Sequence, residues 1–196
     1  MRLILSALSV LSLALSAVAA QAAQMEILEF PWKNGPAAGS VYKMSDHPNG
    51  VFVFEAFSIN CTFCNQNVPQ VKAFVSKYSA NARVQVIDLG LDTADSAYTR
   101  WISQHRPTYP VVMDTGRRAW TALRQENGIP QTFVVNCRGE LVDHTIGLWN
   151  AASVVKLDAA VAKALETTCV AESTPTPAPA EIRLLPGGLV TEPVNP

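Results

Sequence analysis

The order of hydrophobic segments in this 196-residue chain predicts an α/β fold, a three-layer sandwich with helices on both faces of a mixed β-sheet. Short runs rich in β-branched and aromatic residues alternate with stretches whose apolar residues recur every three or four positions. Strands joined through a helix run parallel, whereas the last two strands are joined by a short turn and run antiparallel. The length suits one domain of ordinary size.

The first strongly predicted strand is Val51–Phe57 (VFVFEAF), a continuous apolar run of the kind that is buried on both faces of a sheet. The helix after it begins near Cys64 and contains Pro69, which should kink it. Its apolar side is formed by Val68, Val71, Val75 and Tyr78. Upstream, Met25–Phe30 and Val41–Met44 would add one or two edge strands.

The second half of the chain continues the same alternation. Tyr98, Trp101 and Ile102 fall on one side of a predicted helix. In order, the predicted elements are a strand at Val84–Leu89, a helix at Ala94–Gln104, a strand at Tyr109–Met113, a helix at Arg117–Glu126 that ends by Gly128, strands at Thr132–Val135 and Leu141–Ile146 around a hairpin turn at residues 136–139, and a last helix at Ala151–Glu166 with Asn150 as its N-cap.

An N-terminal signal peptide is predicted at residues 1–22. Arg2 is followed by an apolar run from Leu3 to Val18, and Ala20-Gln21-Ala22 then provides a small-x-small cleavage pattern. The run is shorter than the ~20 residues that span a bilayer, which favours cleavage over a retained membrane anchor. Residues 24–170 are therefore expected to form a domain outside the cytoplasm, in the periplasm.

Charge and composition restrict the partners. The net charge is −1, and removal of Arg2 with the signal peptide would make it −2. Nucleic acids and anionic membranes require clustered positive charge, so no nucleic-acid partner is expected. Residues 171–196 begin with AESTPTPAPA and are predicted to be a Pro-rich disordered tail. Its apolar residues, Ile182 to Leu185 and Leu189-Val190, leave a docking segment as the alternative.

All four cysteines follow the predicted cleavage site, and an even number in an oxidising compartment favours disulfide chemistry. Cys61 and Cys64 form a Cys-x-x-Cys pair between a strand and a helix. A cysteine at a helix N-terminus is stabilised as the thiolate by unpaired N–H groups. A second cysteine one turn later can attack the mixed disulfide formed by the first. The pattern predicts Cys61 as the nucleophile and Cys64 as the resolving thiol.

Two other uses of this pair are disfavoured. A zinc site would need further ligands, but the sequence has no second Cys-x-x-Cys, and His47, His105 and His144 show no ligand spacing. A purely structural disulfide would close a ring too short to remove much entropy from the unfolded chain. No metal and no cofactor are expected.

The strand, the Cys-x-x-Cys pair, the proline five residues after Cys64 and the later Gly128-Ile129-Pro130 resemble the thioredoxin superfamily. The added strand and helix between Val84 and Met113, together with the predicted signal peptide, are more similar to the TlpA/ResA-like branch of periplasmic thiol–disulfide oxidoreductases. The resemblance covers about residues 51–165. It implies a thioredoxin-like sandwich with an inserted strand–helix unit.

The resemblance also implies roles for individual residues. Ile129 and Pro130 match the cis-proline dipeptide that faces the active site, where the backbone pairs with an extended substrate strand. Glu55, six positions before Cys61, matches the buried acid of thioredoxins. A buried carboxyl with a raised pKa would accept a proton from Cys64. The alternative is that Glu55 points to an edge or pairs with a lysine.

Three departures from the branch leave the direction of electron flow open. Asn67 stands where a glutamate is common, Asn60 replaces the tryptophan before the first cysteine, and Thr62-Phe63 replaces a proline-containing dipeptide. An aromatic residue before the second cysteine is similar to the DsbC-type isomerases. Because the dipeptide helps to set the thiol pKa, it also affects the redox poise.

The other two cysteines are predicted to form a structural disulfide. Cys137 lies in the predicted hairpin turn and Cys169 just after the last helix. A strand of about eight residues and a helix of about seventeen both cover roughly 26 Å, so the helix would return to the turn. A second redox relay is the alternative use of this pair.

The leading functional hypothesis is a secreted thiol–disulfide oxidoreductase that reduces disulfides of envelope proteins. It would act as a monomer on client proteins with cysteine pairs and take electrons from a membrane-bound donor. The alternatives are a periplasmic disulfide oxidase or isomerase, and a non-catalytic thioredoxin-fold adaptor of an envelope assembly complex. A thiol peroxidase is disfavoured, because the Pro-x-x-x-Thr/Ser-x-x-Cys signature is absent ahead of Cys61.

Overall fold

The computed structural model describes residues 26–169, so the predicted signal peptide at residues 1–22 and the predicted tail at residues 171–196 lie outside the described residues. Along this range no helix is long and apolar enough to cross a membrane. In chain order the strands and α-helices are β1 Glu29–Pro31, β2 Val41–Lys43, β3 Val51–Phe57, α1 Thr62–Tyr78, β4 Val84–Gly90, α2 Asp95–His105, β5 Val111–Met113, α3 Arg118–Leu123, β6 Gln131–Val135, β7 Leu141–Ile146 and α4 Ala151–Leu165.

The five-stranded main sheet has the order β5-β4-β3-β6-β7. The pairs β3–β4 and β4–β5 are parallel, whereas β3–β6 and β6–β7 are antiparallel. Strand β3 is central, and all seven of its residues are buried, which explains its unbroken apolar sequence. The predicted mixed sheet is confirmed.

Helices cover both faces of this sheet, as expected for a three-layer sandwich. On one face, Val53 of β3 shares a core with Val71 and Phe74 of α1 and with Leu157 of α4. On the other face, Phe52, Phe54 and Phe133 pack with the α3 side chains Ala119, Trp120 and Leu123. Helix α2 lies beside α1, where Tyr98 and Trp101 contact Phe57 and Val68. The α/β thioredoxin-like fold class is therefore confirmed, including the inserted α2 and β5.

The two segments predicted as edge strands do not join the main sheet. Strands β1 and β2 pair with each other in a separate antiparallel ribbon. The chain after β1 is bonded to β5 of the main sheet, where Trp32 bridges Val112 and the Lys33 N–H donates to the Val111 carbonyl at 2.8 Å. Phe30 and Tyr42 pack onto the β3 aromatic face, so burial of these rings positions the ribbon across the sheet's core face.

The helix predicted at Arg117–Glu126 is shorter in the structure, because α3 ends at Leu123. The side chain of Gln131 binds the following loop: its Oε1 accepts from the Gln125 N–H at 3.1 Å, and its Nε2 donates to the carbonyls of Glu126 at 2.9 Å and Gly128 at 2.7 Å. Backbone groups that would extend the helix are therefore bound by a buried side chain from β6.

Cys137 and Cys169 are joined by a disulfide, with a Cα–Cα distance of 6.0 Å. Cys137 lies in the β6–β7 turn, at the opposite end of β6 from Pro130. Arg83 binds the chain that leads to Cys169: its guanidinium donates to the carbonyls of Leu165 at 3.0 Å and Thr167 at 2.9 Å. This end of the domain is therefore cross-linked at a distance from the Cys61–Cys64 pair.

Candidate active site

The Cys61–Cys64 pair forms a disulfide at the N-terminus of α1. Cys61 is the N-cap, and its Sγ accepts a hydrogen bond from the Cys64 N–H at 3.1 Å. Cys64 is only 3% exposed and Cys61 is half-buried, while Phe63 between them is 58% exposed. The more accessible sulfur therefore belongs to Cys61, and an anion on it would lie against free helix N–H groups.

Two polar side chains hold the loop that presents Cys61. The Asp92 carboxylate accepts from the Ser58 hydroxyl at 2.9 Å and from the Ile59 N–H at 2.8 Å. Asn65 donates to the Ile59 carbonyl at 3.2 Å and accepts from the Trp101 indole N–H at 2.7 Å. Asp92 was not among the predicted site residues. It lies two residues after the end of β4, at the carboxyl end of a parallel strand where functional groups often lie.

Ile129 and Pro130 lie beside the disulfide. The peptide bond between them is cis, and the Ile129 carbonyl oxygen is 3.9 Å from Cys61 Sγ. The Pro130 carbonyl accepts from the Gly147 N–H at 2.9 Å, which ties this segment to the chain after β7. Pro130 is buried, whereas Ile129 is half-buried. Ile129 is therefore partly exposed next to the half-buried Cys61.

Glu55 lies in the middle of β3 and is 3% exposed. Its Oε1 accepts from the Asn67 amide at 3.0 Å, and its Oε2 has no hydrogen-bond partner among the described residues. Burial raises the pKa of Glu55 well above its ordinary range, the charge of Asp88 raises it further, and the Asn67 hydrogen bond opposes the shift.

Asp88, on the neighbouring strand β4, is a second buried acid, and it was not among the predicted site residues. It is 3% exposed, and it lies opposite Glu55 in the parallel pairing of β4 with β3. The Tyr109 hydroxyl donates to Asp88 Oδ2 at 3.0 Å. Burial raises the pKa of Asp88, although this hydrogen bond opposes the effect. An acid inside the apolar run Val84–Leu89 was the signal that could have found it.

Asn67 connects the buried acid to the rest of the site. It is three positions after Cys64 on α1, hence on the same side of the helix. Its Nδ2 donates to Glu55 Oε1 and, at 3.3 Å, to the Gly147 carbonyl. Its Oδ1 accepts from the Trp149 N–H at 2.9 Å. The amide thus gives two donors and one acceptor to a site in which a carboxylate could only accept.

Among residues 26–169, no group of three or more histidine, cysteine or acidic side chains could hold a metal ion. The site brings together three groups that can take part in thiol–disulfide exchange. These are an accessible sulfur, a buried sulfur one turn later, and a buried carboxyl whose hydrogen-bonding partner lies on the same helix. Such an arrangement can exchange two electrons with a second disulfide or dithiol.

The model of the AhpC/TSA family matches residues 20–144, more than half of the 196-residue chain. No curated protein is detectably similar in sequence. Among solved structures, a protein from Chlorobium tepidum assigned as the thiol:disulfide interchange protein DsbE superposes with a TM-score of 0.60 at 22% identity, over 74% of this chain and 96% of that one.

Two further solved structures are similar in the same way. A thiol-disulfide isomerase from Corynebacterium glutamicum has a TM-score of 0.58 at 20% identity, over 76% of this chain and 99% of its own. A thioredoxin-family thiol:disulfide interchange protein from Chlorobium tepidum TLS has a TM-score of 0.59 at 16% identity, over 74% and 98%. At these identities the likeness shows a common fold.

Proposed function

The chain belongs to the AhpC/TSA family, and we propose that it reduces disulfide bonds of exported proteins. Family, thioredoxin-like fold and the cysteine pair at the start of α1 make it a thiol–disulfide oxidoreductase. The observation that carries the proposal is the position of Cys61, half-buried at a helix N-terminus and 3.9 Å from the Ile129 carbonyl.

The first step uses the reduced dithiol. The Cys61 thiolate attacks one sulfur of a client disulfide; the new bond joins Cys61 to the client, and the other client sulfur leaves as a thiolate. The helix N-terminus supports the attacking thiolate because its N–H groups favour negative charge. Ile129, beside the cis peptide bond to Pro130, would hold an extended client strand through its backbone while the sulfurs align.

The second step resolves the mixed disulfide. Cys64 gives its proton to the Glu55 carboxylate, attacks Cys61 Sγ and releases the second client thiolate, which takes up a proton. The thiolate released in the first step also takes up a proton from solvent, and Glu55 returns its proton to solvent. The client has then gained two electrons and two protons, and the chain holds the Cys61–Cys64 disulfide. Cys64 and Glu55 are both buried, and Asn67, three positions after Cys64, donates to the Glu55 carboxylate. The raised pKa of Glu55 makes its carboxylate a stronger proton acceptor than an exposed one, which supports this role.

The proposal also covers the compartment in which the reaction takes place and the proteins that take part in it. The predicted signal peptide at residues 1–22 would deliver the domain to the periplasm. Clients would be proteins with cysteine pairs, and a membrane-bound donor would return two electrons to the Cys61–Cys64 disulfide after each turnover. We further propose that the chain works as a monomer and without a cofactor.

Two measurements test the proposal. A reduction potential of about −270 mV for the Cys61/Cys64 couple would support a reductase. A value of about −120 mV would instead show a strong oxidant and overturn the proposed direction of electron flow. In cells, the Cys64→Ala variant should arrest mixed disulfides between Cys61 and its clients, because the resolving thiol is missing. The Cys61→Ser variant is the matched control and should trap none.

Disulfide oxidation or isomerisation is the second candidate function. It is favoured by the Thr62-Phe63 dipeptide between the cysteines and by the exposed Phe63 ring, which could contact apolar surface of a misfolded client. In an oxidase the same steps run in reverse, so the Cys61–Cys64 disulfide passes to a reduced client. Recovery of activity from a scrambled, fully oxidised test protein would distinguish an isomerase from a simple reductase.

A further inference from the structure

A pocket of about 290 Å³ opens beside the active-site disulfide. Ile129, whose carbonyl lies next to Cys61 Sγ, forms part of its wall. Ser58 forms another part, and its carbonyl accepts from the Cys61 N–H at 3.0 Å. Two residues that contact the nucleophile therefore also line this pocket, so a group bound in it would lie close to a client joined to Cys61.

Two arginines line the same pocket, and both are exposed. The guanidinium of Arg117 donates to the Leu91 carbonyl at 3.5 Å, and that of Arg124 donates to the Asn127 side chain at 3.4 Å. Each bond involves one nitrogen of a group that has five N–H donors, so most donors of each arginine face the pocket or the solvent. Arginine suits the recognition of carboxylates because two of its donors can bind both oxygens.

The pocket also contains one acid, Asp92, but its oxygens are already engaged. Oδ1 accepts from the Ser58 hydroxyl and Oδ2 accepts from the Ile59 N–H. Trp120, 7% exposed, adds an apolar wall. The neutral donors from Ser58 and Ile59 leave the charge of Asp92 in place, but the two arginines outnumber it, so the pocket lining carries a net positive charge. It also stands out against a chain whose net charge is −1.

The backbone at Arg117 adds an independent observation. Its φ of 54° places it in the left-handed region, which glycine and asparagine adopt more readily than arginine. This conformation turns the chain between Asp114, whose carbonyl accepts from the Arg117 N–H, and the start of α3. Arg117 is thus held in the turn immediately before α3, where it lines the pocket.

We propose that this pocket binds an acidic side chain of the client, within two or three residues of the client cysteine that forms the mixed disulfide with Cys61. The proposal rests on the proposed function, since it names the class of client for that reaction. A client strand beside Ile129 would advance about 3.3 Å per residue with side chains alternating between its two faces. A neighbouring side chain of such a strand can therefore enter the pocket while its cysteine meets Cys61.

Three synthetic peptides test the inference. They have the same length and one internal disulfide, and they differ only in two residues beside the first cysteine, which are glutamate, glutamine or lysine. The reduced chain should reduce the glutamate peptide about fivefold faster than the lysine peptide, the scale expected of exposed charge pairs. This preference should vanish in about 1 M salt, where the Debye length is ~3 Å.

Variants of the two arginines test whether the preference for the glutamate peptide depends on this pocket. The Arg117→Gln/Arg124→Gln double variant should bring the ratio of the glutamate and lysine rates close to one, and Arg124→Glu should invert it. Lys163→Glu, an equal change of charge on an exposed residue of α4, is the control and should retain the wild-type ratio. If the double variant fails to fold, the salt dependence of the wild-type rate ratio still tests the inference, because a glutamate preference that persists in about 1 M salt would overturn it.

Failure of this inference can be separated from failure of the proposed function. If the chain reduces all three peptides at equal rates, the acidic preference is overturned while the reductase remains. A wild-type preference that persists in the double arginine variant would also overturn it. If the chain reduces none of the peptides, the proposed function fails and the pocket's role in it fails as well.

Discussion

Glu55 and Asp88 lie directly opposite each other in the parallel pairing of β3 and β4, and both carboxyl groups are buried on the side of the sheet that α1 covers. Each accepts one side-chain hydrogen bond, Glu55 from Asn67 and Asp88 from Tyr109. Burial raises the pKa of both acids, and ionisation of Asp88 raises the pKa of Glu55 further. The pair therefore keeps a proton at pH values at which exposed carboxyl groups have lost theirs.

Glu55→Gln tests the proton transfer in the proposed mechanism. Only the carboxylate can accept the Cys64 proton, so the wild-type rate of resolution should rise with pH through the raised pKa of Glu55. The variant should resolve the mixed disulfide about 10²-fold more slowly, at the lower end of general acid–base effects, and lose this part of the pH profile. Stopped-flow single-turnover reduction of a disulfide peptide measures the step.

Glu166→Gln is the matched control for that experiment, because Glu166 is exposed at the end of α4. It should keep the wild-type profile. Equal resolution rates for Glu55→Gln and the wild type across pH 5 to 9 would remove Glu55 from the mechanism.

Asp88→Asn tests the coupling of the two acids through stability. Because the folded-state pKa of each acid is raised, the folded state binds more protons than the unfolded state above the ordinary carboxyl pKa. Stability is thus greatest at low pH and falls as pH rises through the folded-state pKa values. Removing one acid should lessen this loss, at about 1.4 kcal/mol for each pKa unit by which the shift is reduced.

The expected result is that Asp88→Asn is more stable than the wild type at pH 8 and close to it at pH 4, as measured by urea unfolding at both values. Asparagine can still accept from Tyr109, which keeps that contact. Glu166→Gln, which removes an exposed acid on α4 away from Glu55 and Asp88, is the control and should leave the wild-type pH dependence in place. A constant difference between Asp88→Asn and the wild type at the two pH values would contradict the coupling.

The parts of this fold that the sequence predicts well are those determined by local pattern. Strand β3 and β7 have their predicted bounds, and α4 begins at Ala151 with Asn150 as its N-cap, whose side chain accepts from the Ser153 N–H at 3.0 Å. An unbroken apolar run, a polar N-cap and a helical repeat each act over a few residues. The positions of Cys61 and Cys64 at the start of α1 follow from the same local signals.

The parts that were missed depend on contacts between distant segments. Strands β1 and β2 form their own ribbon because Phe30 and Tyr42 find a core on the main sheet, and α3 ends early because Gln131 binds the loop after it. The pairing of Asp88 with Glu55 depends on the register of two strands 33 positions apart. None of these contacts produces a repeating pattern of apolar residues in the segment whose structure it changes, so the sequence of that segment does not reveal it.

Replacing both Cys137 and Cys169 with serine should lower stability and leave the redox reaction in place. The disulfide closes a separation of 32 residues, for which the chain-entropy account gives about 3–4 kcal/mol. Thermal unfolding should shift down by roughly 10 °C, given about 2–4 °C per kcal/mol in a domain of this size. Loss of peptide reduction in a variant that remains folded would instead favour the second redox relay.

Asn67→Asp tests why an amide, and not a carboxyl, stands three positions after Cys64. An aspartate can still accept from the Trp149 N–H, but when ionised it cannot donate to Glu55 Oε1 or the Gly147 carbonyl, and it adds a third acid to the layer. The expected result is a loss of stability that is larger at pH 8 than at pH 5, because ionisation of the new acid is opposed by Glu55.

Urea unfolding of Asn67→Ala at the same two pH values is the comparison. Alanine leaves the partners of Asn67 unsatisfied at either pH, about 1–3 kcal/mol for each buried group, but brings no new charge. If the two variants show the same pH dependence, the hydrogen bonds of Asn67 matter to this layer only for packing and not for its charge.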